Sequence, residues 1–373
     1  MKIFIAGGGP AGLYAAILLR RNFPGCEITL IEQNARDATF GFGVVFSDKA
    51  LDFLRGDDPQ THELLAPAFE RWSDLTLNHK GAAVRIDGIG FAAIGRLHLL
   101  NLLQRRLADL GVTPHYGTRM EAPPRRADYD LVIASDGANS LLRAAHADAF
   151  GARAGALTNS FVWYGAEIPF DTLTQTFVAT PRGHFNAHHY RYAPGLSTFI
   201  AECDAATFSA YGFGAMSEGE SKAVCEDVFR DVLRGTKLTA NKSHWRNFPL
   251  ISNDRWHTKN LVLIGDALRT AHFSIGSGTR LALEDAGALV RALKASGGDV
   301  ARALPAYEAA RRPMVDKLAS AANASAAWYE DFARHMALEP RNFAWSYIQR
   351  SGRIDLKRLR AISPGFAAGY EVG

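Results

Sequence analysis

Gly7, Gly9 and Gly12 fall at the spacing G-x-G-x-x-G, and Glu32 follows the last of them by 20 residues. This arrangement suits the binding of a pyrophosphate. The first glycine makes a tight turn, the second lets phosphate approach the backbone, and the third lets a helix close onto a strand. A helix start there offers free N–H groups and a positive dipole end. The Glu32 carboxylate can accept both ribose hydroxyls. Pro10 and Ala11 complete the turn, and Gln33 follows the acid. The positioning elements are legible around them. Residues 2–6 read as a buried strand, the apolar spacing from Ala11 to about Asn22 is helical, and "EITLIE" (27–32) reads as a second strand. A tight turn in an ordinary α/β protein would explain the glycines alone. With the flanking strands and the acid, the unit reads as a dinucleotide site.

The rest of the composition narrows the class. The chain has 373 residues, 47% of them hydrophobic, enough for one large core or two to three packed domains. A net charge of +4 suits an anionic small molecule and lacks the dense basic stripe of a nucleic-acid binder. Cys26, Cys203 and Cys225 have no C-x-x-C spacing, which argues against a disulfide framework or zinc and for a reducing cytoplasm. No apolar run reaches the ~18 residues that span a membrane. The apolar start is broken by Gly-Gly-Gly-Pro, so it is not expected to be a signal peptide. No histidine, cysteine and acidic residues share metal-ligand spacing, and no G-x-S-x-G elbow occurs.

The βαβ unit alone does not separate FAD from NAD. Two later stretches do. "DYDLVIASDGANSLLR" (128–143) carries Asp136-Gly137 after a strand. "NLVLIGDALRTAHFSIGSGTRLALEDAGALVRAL" (260–293) carries Gly265-Asp266 after another, then Gly276, Ser277, Gly278 and Thr279 opening a long helix. Together with the glycine fingerprint they resemble, in order and spacing, the motifs of flavin-dependent aromatic hydroxylases. The resemblance implies that Asp136, Asp266 and Arg96 (in "GFAAIGRLHLLNLLQRRLADLG", 90–111) contact FAD, with the helix start facing the flavin's pyrimidine end.

"TFGFGVVFSD" (39–48), "FVWYGAEIPFDTLT" (161–174), "FNAHHYRY" (185–192), "STFIAEC" (197–203), "WRNFP" (245–249), "AHFSIGSGT" (271–279) and "RSGRIDLKRLRAISPGF" (350–366) narrow this further. They resemble the subfamily of salicylyl-CoA 5-hydroxylases and 2-aminobenzoyl-CoA monooxygenases. The violacein-pathway hydroxylase acting on a tryptophan-derived indole is a more distant relation. Some members carry a second, reductase half; here only the hydroxylase reaction is expected. The chain departs from the general family at Leu268-Arg269, His272-Phe273-Ser274 and Arg280, and the role of Arg269 is left open.

The resemblance implies a non-covalent FAD reduced by a transient NADH or NADPH, and oxygen transfer to an electron-rich ring through a C4a-hydroperoxyflavin. A ring hydroxyl or amino group would direct attack to C5, so a neutral histidine or tyrosine is the residue type to seek. His272 precedes the glycines that face the flavin. His188 and Tyr190 share one face of a strand over 185–192 with Tyr192. Tyr164, Tyr190, Phe273 and Ser274 are candidates for the substrate wall, Trp163 for core, and His184 and His189 for solvent. Arginines and lysines in 350–360 could meet thioester phosphates or form a solvated basic tail.

The expected fold is α/β: a Rossmann-like FAD-binding domain of para-hydroxybenzoate-hydroxylase type (1–75, 95–155 and 255–315), an inserted α+β substrate domain with an antiparallel sheet (76–94 and 156–254), and a C-terminal helical segment (316–373). Ser217 and Glu220 form a capping-box pattern for a helix over 217–234. The periodic stripe beyond residue 305 suits docking onto the FAD domain better than a dimer interface, so the chain is expected to be a monomer or homodimer without membrane or nucleic-acid partners. A free aromatic or indole substrate competes with the aryl-CoA reading. A flavin halogenase would carry W-x-W-x-I-P, which is absent. A binding module without catalysis would not be expected to keep both Asp-Gly and Gly-Asp motifs.

Overall fold

A computed structural model describes residues 1–47 and 52–370. Asp48 of the 39–48 stretch and residues 371–373 of the C-terminal segment lie outside them. The strand Lys2–Ala6 is the parallel neighbour of both Glu27–Ile31 and Leu131–Ala134. Leu261–Leu263 joins on the far side of Leu131–Ala134, and the short antiparallel His257–Thr258 completes a five-stranded sheet. Strands buried on both faces read as unbroken apolar runs, which is why "KIFIA" and "LVIA" show no alternation. The helix Pro10–Asn22 is buried from Ala11 to Leu19 and packs against the helices Arg96–Asp109 and Gly278–Ala295.

A second, eight-stranded sheet is largely antiparallel. Its path runs Leu238–Thr239, Ala152–Ala166, Leu196–Cys203, Gly183–Ala193, Leu173–Thr180, Leu75–His79, Ala82–Ile86, with Arg246–Asn253 paired to Ala152–Ala166. Leu75–His79 lies parallel to Leu173–Thr180. The domain boundaries expected at 75/76 and 155/156 fall inside strands of this sheet. One face packs Val162, Tyr164, Phe185, Phe199 and Cys203 against Cys225, Phe229 and Leu233 of the helices Glu218–Val228 and Arg230–Leu233. Ser217 and Glu220 form the capping box at the start of the first of these helices. A three-stranded sheet, Gly43–Ser47, Phe91–Gly95 and Glu70–Trp72, packs between the strand Gly183–Ala193 and the helices Arg96–Asp109 and Gly278–Ala295.

The C-terminal helices dock rather than project. Val300–Glu330 begins earlier than expected, where Asp299 accepts the Arg302 N–H as its cap. It packs on Gly278–Ala295, and its far end delivers Trp328 and Tyr329 to the second sheet. There Phe332, Phe343 and Tyr347 join Leu75, Leu77 and Phe177 in one apolar cluster.

A fully buried carboxylate fastens these parts. Asp285 accepts both Arg269 guanidinium nitrogens at 2.7 and 3.1 Å, the Arg311 Nε at 3.0 Å and the Gly265 N–H at 3.1 Å. This gives Arg269 its role: it holds the turn that carries Asp266. Arg280 is likewise engaged, with Glu284 and with the Ser47 hydroxyl. Removing one partner of a buried ion pair leaves the others uncompensated. Asp285→Ala is therefore expected to cost about 3–5 kcal/mol in urea unfolding, whereas Glu284→Ala, at a position that keeps some contact with solvent, should cost less.

Candidate active site

The two helices that point into the centre of the molecule both start without a side-chain cap. Gly9, which has no side chain, precedes Pro10–Asn22, and Ser277, whose hydroxyl does not bond the first-turn N–H groups, precedes Gly278–Ala295. Both starts line the same cleft, of about 630 Å³, together with Gly9, Pro10, Ala11, Gly137, Asn139, Arg96, Asp266 and Gly276–Thr279. That size lies within the usual ~300–1,000 Å³ of ligand cavities. The glycines divide the work. Gly7 has φ +97°, and a Cβ there would lie 2.4 Å from the Ser135 carbonyl oxygen. A Cβ on Gly12 would lie 2.0 Å from the Gly7 oxygen, whereas one on Gly9 would meet nothing within 4 Å. Gly7 and Gly12 thus allow close packing, and Gly9 leaves its approach open to a ligand.

The uncapped helix starts, the open glycine and the partly buried Arg96 cation fit a dinucleotide with an anionic centre. The Arg96 guanidinium donates to Thr39 Oγ1 at 3.1 Å, with Asp266 and Glu32 as its electrostatic neighbours. Burial lowers its pKa, and those two carboxylates oppose the shift. Asp266 opens onto the cleft but is otherwise enclosed by protein, which raises its carboxyl pKa despite Arg96 and Arg269.

Glu32 and Asp136 also hold the backbone beside the cleft. Glu32 accepts the Gly8 N–H at 2.8 Å and both the backbone and side-chain N–H of Asn34, so it shapes the loop beside the glycines; Gln33 is exposed. Asp136 caps the turn after its strand by accepting from Leu141 and Leu142, leaving Gly137, Ala138 and Asn139 to line the cleft. Its pKa is raised by burial.

Beyond Gly276–Thr279 the cleft continues as an aromatic chamber. Phe161, Trp163, Leu173, Gln175, His188, Tyr190, Ile200, Phe248, Phe273, Tyr347 and Arg350 line it. The strand registers explain this set. Gln175 pairs with His188, His188 with Ile200, and Ile200 with Trp163, so all four project from one face. Tyr164 has the opposite parity. It is fully buried on the other face with its hydroxyl toward Ser221, so it is not a wall of this chamber, and Trp163 is. His189 also lies on that other face, fully buried and bonded to Thr176, rather than in solvent. The Tyr190 hydroxyl donates to the Gly43 carbonyl at 2.9 Å.

The two candidate histidines are placed differently. His188 lines the chamber; its ring meets Phe273 at 5.0 Å and Tyr329 at 4.9 Å. Burial, aided by Arg350, pushes its pKa down to about 3, so it is neutral at physiological pH. His272 stands behind the wall formed by Phe273 and Ser274. Its Nδ1 bonds Ser274 Oγ at 2.8 Å, which bonds Ser325 Oγ at 2.7 Å. Burial lowers its pKa to about 4. The chamber residues Gln175, Phe161, Arg246, Phe248 and Arg350 were not singled out as site residues, except that Arg350 belongs to the basic tail. Only strand parity relative to His188 could have suggested the first two.

Comparison with known proteins agrees with this geometry. Residues 5–66 match the family model of the NAD(P)-binding Rossmann-like domain. The chain is 40% identical over 361 residues to the salicyloyl-CoA 5-hydroxylase of a Streptomyces species, covering 94% of this chain and 70% of that protein. It is 38% identical over 329 residues to 3-hydroxy-4-methyl-anthranilyl-[aryl-carrier protein] 5-monooxygenase of Streptosporangium sibiricum, covering 88% and 89%. It is 33% identical over 365 residues to protodeoxyviolaceinate monooxygenase of Chromobacterium violaceum, covering 94% of each. Among solved structures, 2-methyl-3-hydroxypyridine-5-carboxylic acid oxygenase superposes with a TM-score of 0.72 at 18% identity, over 94% of this chain and 95% of that one. PqsL of P. aeruginosa does so at 0.71 and 20%, over 90% and 98%. Fold and cleft together define an FAD-dependent monooxygenase that draws electrons from NAD(P)H and acts on an aromatic ring. The chain belongs to the family of aromatic-ring monooxygenases that includes salicyloyl-CoA 5-hydroxylase.

The third glycine gives the plainest test of the cofactor surface. Gly12→Val drives a side chain into the Gly7 carbonyl. The variant should purify without yellow colour, with the ratio of absorbance at flavin and protein wavelengths falling at least tenfold relative to the wild type.

Proposed function

We propose that the protein hydroxylates the ring of an aryl thioester, such as salicylyl-CoA or 2-aminobenzoyl-CoA, at C5. The observation that carries this reading is the continuity of one cleft from the dinucleotide glycines to an aromatic chamber holding a neutral histidine and a guanidinium. Gly9–Ala11, Arg96, Asp266 and Gly276–Thr279 would hold FAD, which when reduced by NADH or NADPH would supply the activated oxygen from O₂.

The chain's own residues do the rest. Phe161, Trp163, Leu173 and Phe273 enclose the ring and exclude water. His188, held neutral by burial, accepts a hydrogen bond from the ring hydroxyl or amino group. Arg350, which lies over the Tyr347 ring at 3.8 Å and donates to the Ser274 carbonyl, offers positive charge to the oxyanion or acyl oxygen of the substrate. Tyr190, with its hydroxyl committed to Gly43, acts as wall, and Ser274 joins it there. The exposed Arg353, Lys357 and Arg358 follow Arg350 and suit the phosphates of a thioester's coenzyme A. His272 supports the wall from behind.

We read the five-stranded sheet with its helices as the FAD-binding domain and the eight-stranded sheet as the substrate domain, in a monomer or homodimer. Three buried free thiols suit a cytoplasmic location. A second reading, a free aromatic or indole substrate, is favoured by the end-to-end match to protodeoxyviolaceinate monooxygenase.

The test is oxidation of NADH and of NADPH by the FAD-loaded protein with each thioester and its free acid, with products weighed by mass spectrometry. One oxygen gained by a thioester alone supports the proposal. Inert thioesters and an oxygenated free acid or indole would replace it with the second reading. His188→Asn should lower kcat on the accepted substrate by at least tenfold, with KM within about threefold.

A further inference from the structure

His188 does not stand alone. On the adjoining strand, in register with Asn186, lies Glu202, whose side chain is 2% exposed. Its Oε2 is 3.4 Å from His188 Nε2, and each of these buried atoms is without a hydrogen-bond partner. The other oxygen, Oε1, accepts from Asn159 Nδ2 at 2.9 Å, and Asn159 is itself anchored on the Tyr329 carbonyl. The carboxylate is thus fixed by a side chain that does not touch the cleft. A carboxylate only accepts hydrogen bonds, so the tautomer that would satisfy both atoms carries its proton on Nε2. The nitrogen left for the cleft is Nδ1, which carries a lone pair.

We propose that Glu202 is a positioning residue that fixes the His188 tautomer and stabilises its charged form, so that His188 takes the proton of the substrate's ring hydroxyl or amino group during oxygen transfer. This rests on the monooxygenase reading above and deepens it. The substrate O–H or N–H bond breaks and its electron pair flows into the ring toward the attacked carbon. The proton rests on Nδ1. C5 takes the transferred oxygen as its O–O bond breaks; when the C5 proton then passes to solvent and the ring regains aromaticity, the held proton returns to the substituent. Charge formed on the imidazole is met by Glu202, an arrangement of base and buried orienting acid.

The groups facing the pair come from every packed element. Arg350, beyond the helix Pro340–Gln349, opposes a proton on His188; His272 lowers the carboxyl of Glu202, and Glu330, on the long helix, raises it; His189 adjoins on the same strand. Tyr329 packs its ring on His188 and donates its hydroxyl to Gln175. Burial wins at Glu202 and raises its pKa to about 6, so the carboxylate is ionised above that pH and neutral below it. The pair therefore predicts an acid limb in kcat near pH 6 that belongs to Glu202.

The test uses the FAD-loaded wild type, Glu202→Gln and Glu202→Asp, with whichever aromatic compound the wild type oxygenates, thioester or free acid; a wrong substrate class then leaves this test intact. Glu202→Gln should retain FAD, lower kcat by on the order of 10²-fold with KM within about threefold, and lose the acid limb, while coupled oxygenation gives way to peroxide. Glu202→Asp should recover part of kcat and restore an acid limb. In the double variant with His188→Asn, the loss should be no larger than in His188→Asn alone. Wild-type kcat with the acid limb intact in Glu202→Gln, or losses that multiply in the double variant, would overturn the proposal.

Discussion

The Asp285 carboxylate is the point on which cofactor cleft and substrate chamber both depend. With no exposure to solvent it accepts from Gly265, Arg269 and Arg311. The first two belong to the turn that presents Asp266 to the cleft. The third belongs to the long helix whose far end carries Tyr329 against His188. A buried carboxylate with fewer donors would be costly. Here the donors are elements that need fixing, so the same bonds that satisfy the charge set the geometry of two sites.

The two faces of the eight-stranded sheet divide its labour. One is an apolar core against helices, with Tyr164, Phe199 and Cys225 buried. The other carries Gln175, Asn186, His188 and Glu202, polar groups that would be expensive in such a core without partners. Long C-terminal helices cover that polar face, and the chamber opens where they stop short. A protein interested only in stability would fill this face with apolar side chains. Its polarity is better understood as the cost of holding protons and charge beside a reacting ring.

The FAD-binding half was the more legible in sequence because its chemistry is local. Gly7, Gly9 and Gly12 act within one turn, and Gly276–Thr279 open one helix, so spacing along the chain is spacing in the structure. The substrate half depends on strand parity and on elements far apart in sequence. Alternation put His188 and Tyr190 on one face, as found. It could not say which of Trp163 and Tyr164 shared that face, because parity on one strand is set by register with its neighbour. Arg269 looked like a loss of a family residue and is instead an ion-pair partner of Asp285, 16 residues on. Glu202 and Gln175 were silent, and Arg350 was legible only as part of a basic tail, for the same reason: their place around His188 is set by tertiary packing.

The central claim is that an aromatic ring bound beside His188 lies in the same cleft as the flavin. Titrating the oxidised, FAD-loaded protein with salicylyl-CoA, without any electron donor, and recording the flavin absorption band tests it most directly. The account predicts a saturable perturbation of that band, abolished when Trp163 is replaced by a charged residue that fills the chamber while FAD is retained. Tight binding of the thioester, measured by calorimetry, with an unchanged flavin spectrum would place the ligand elsewhere and contradict the account.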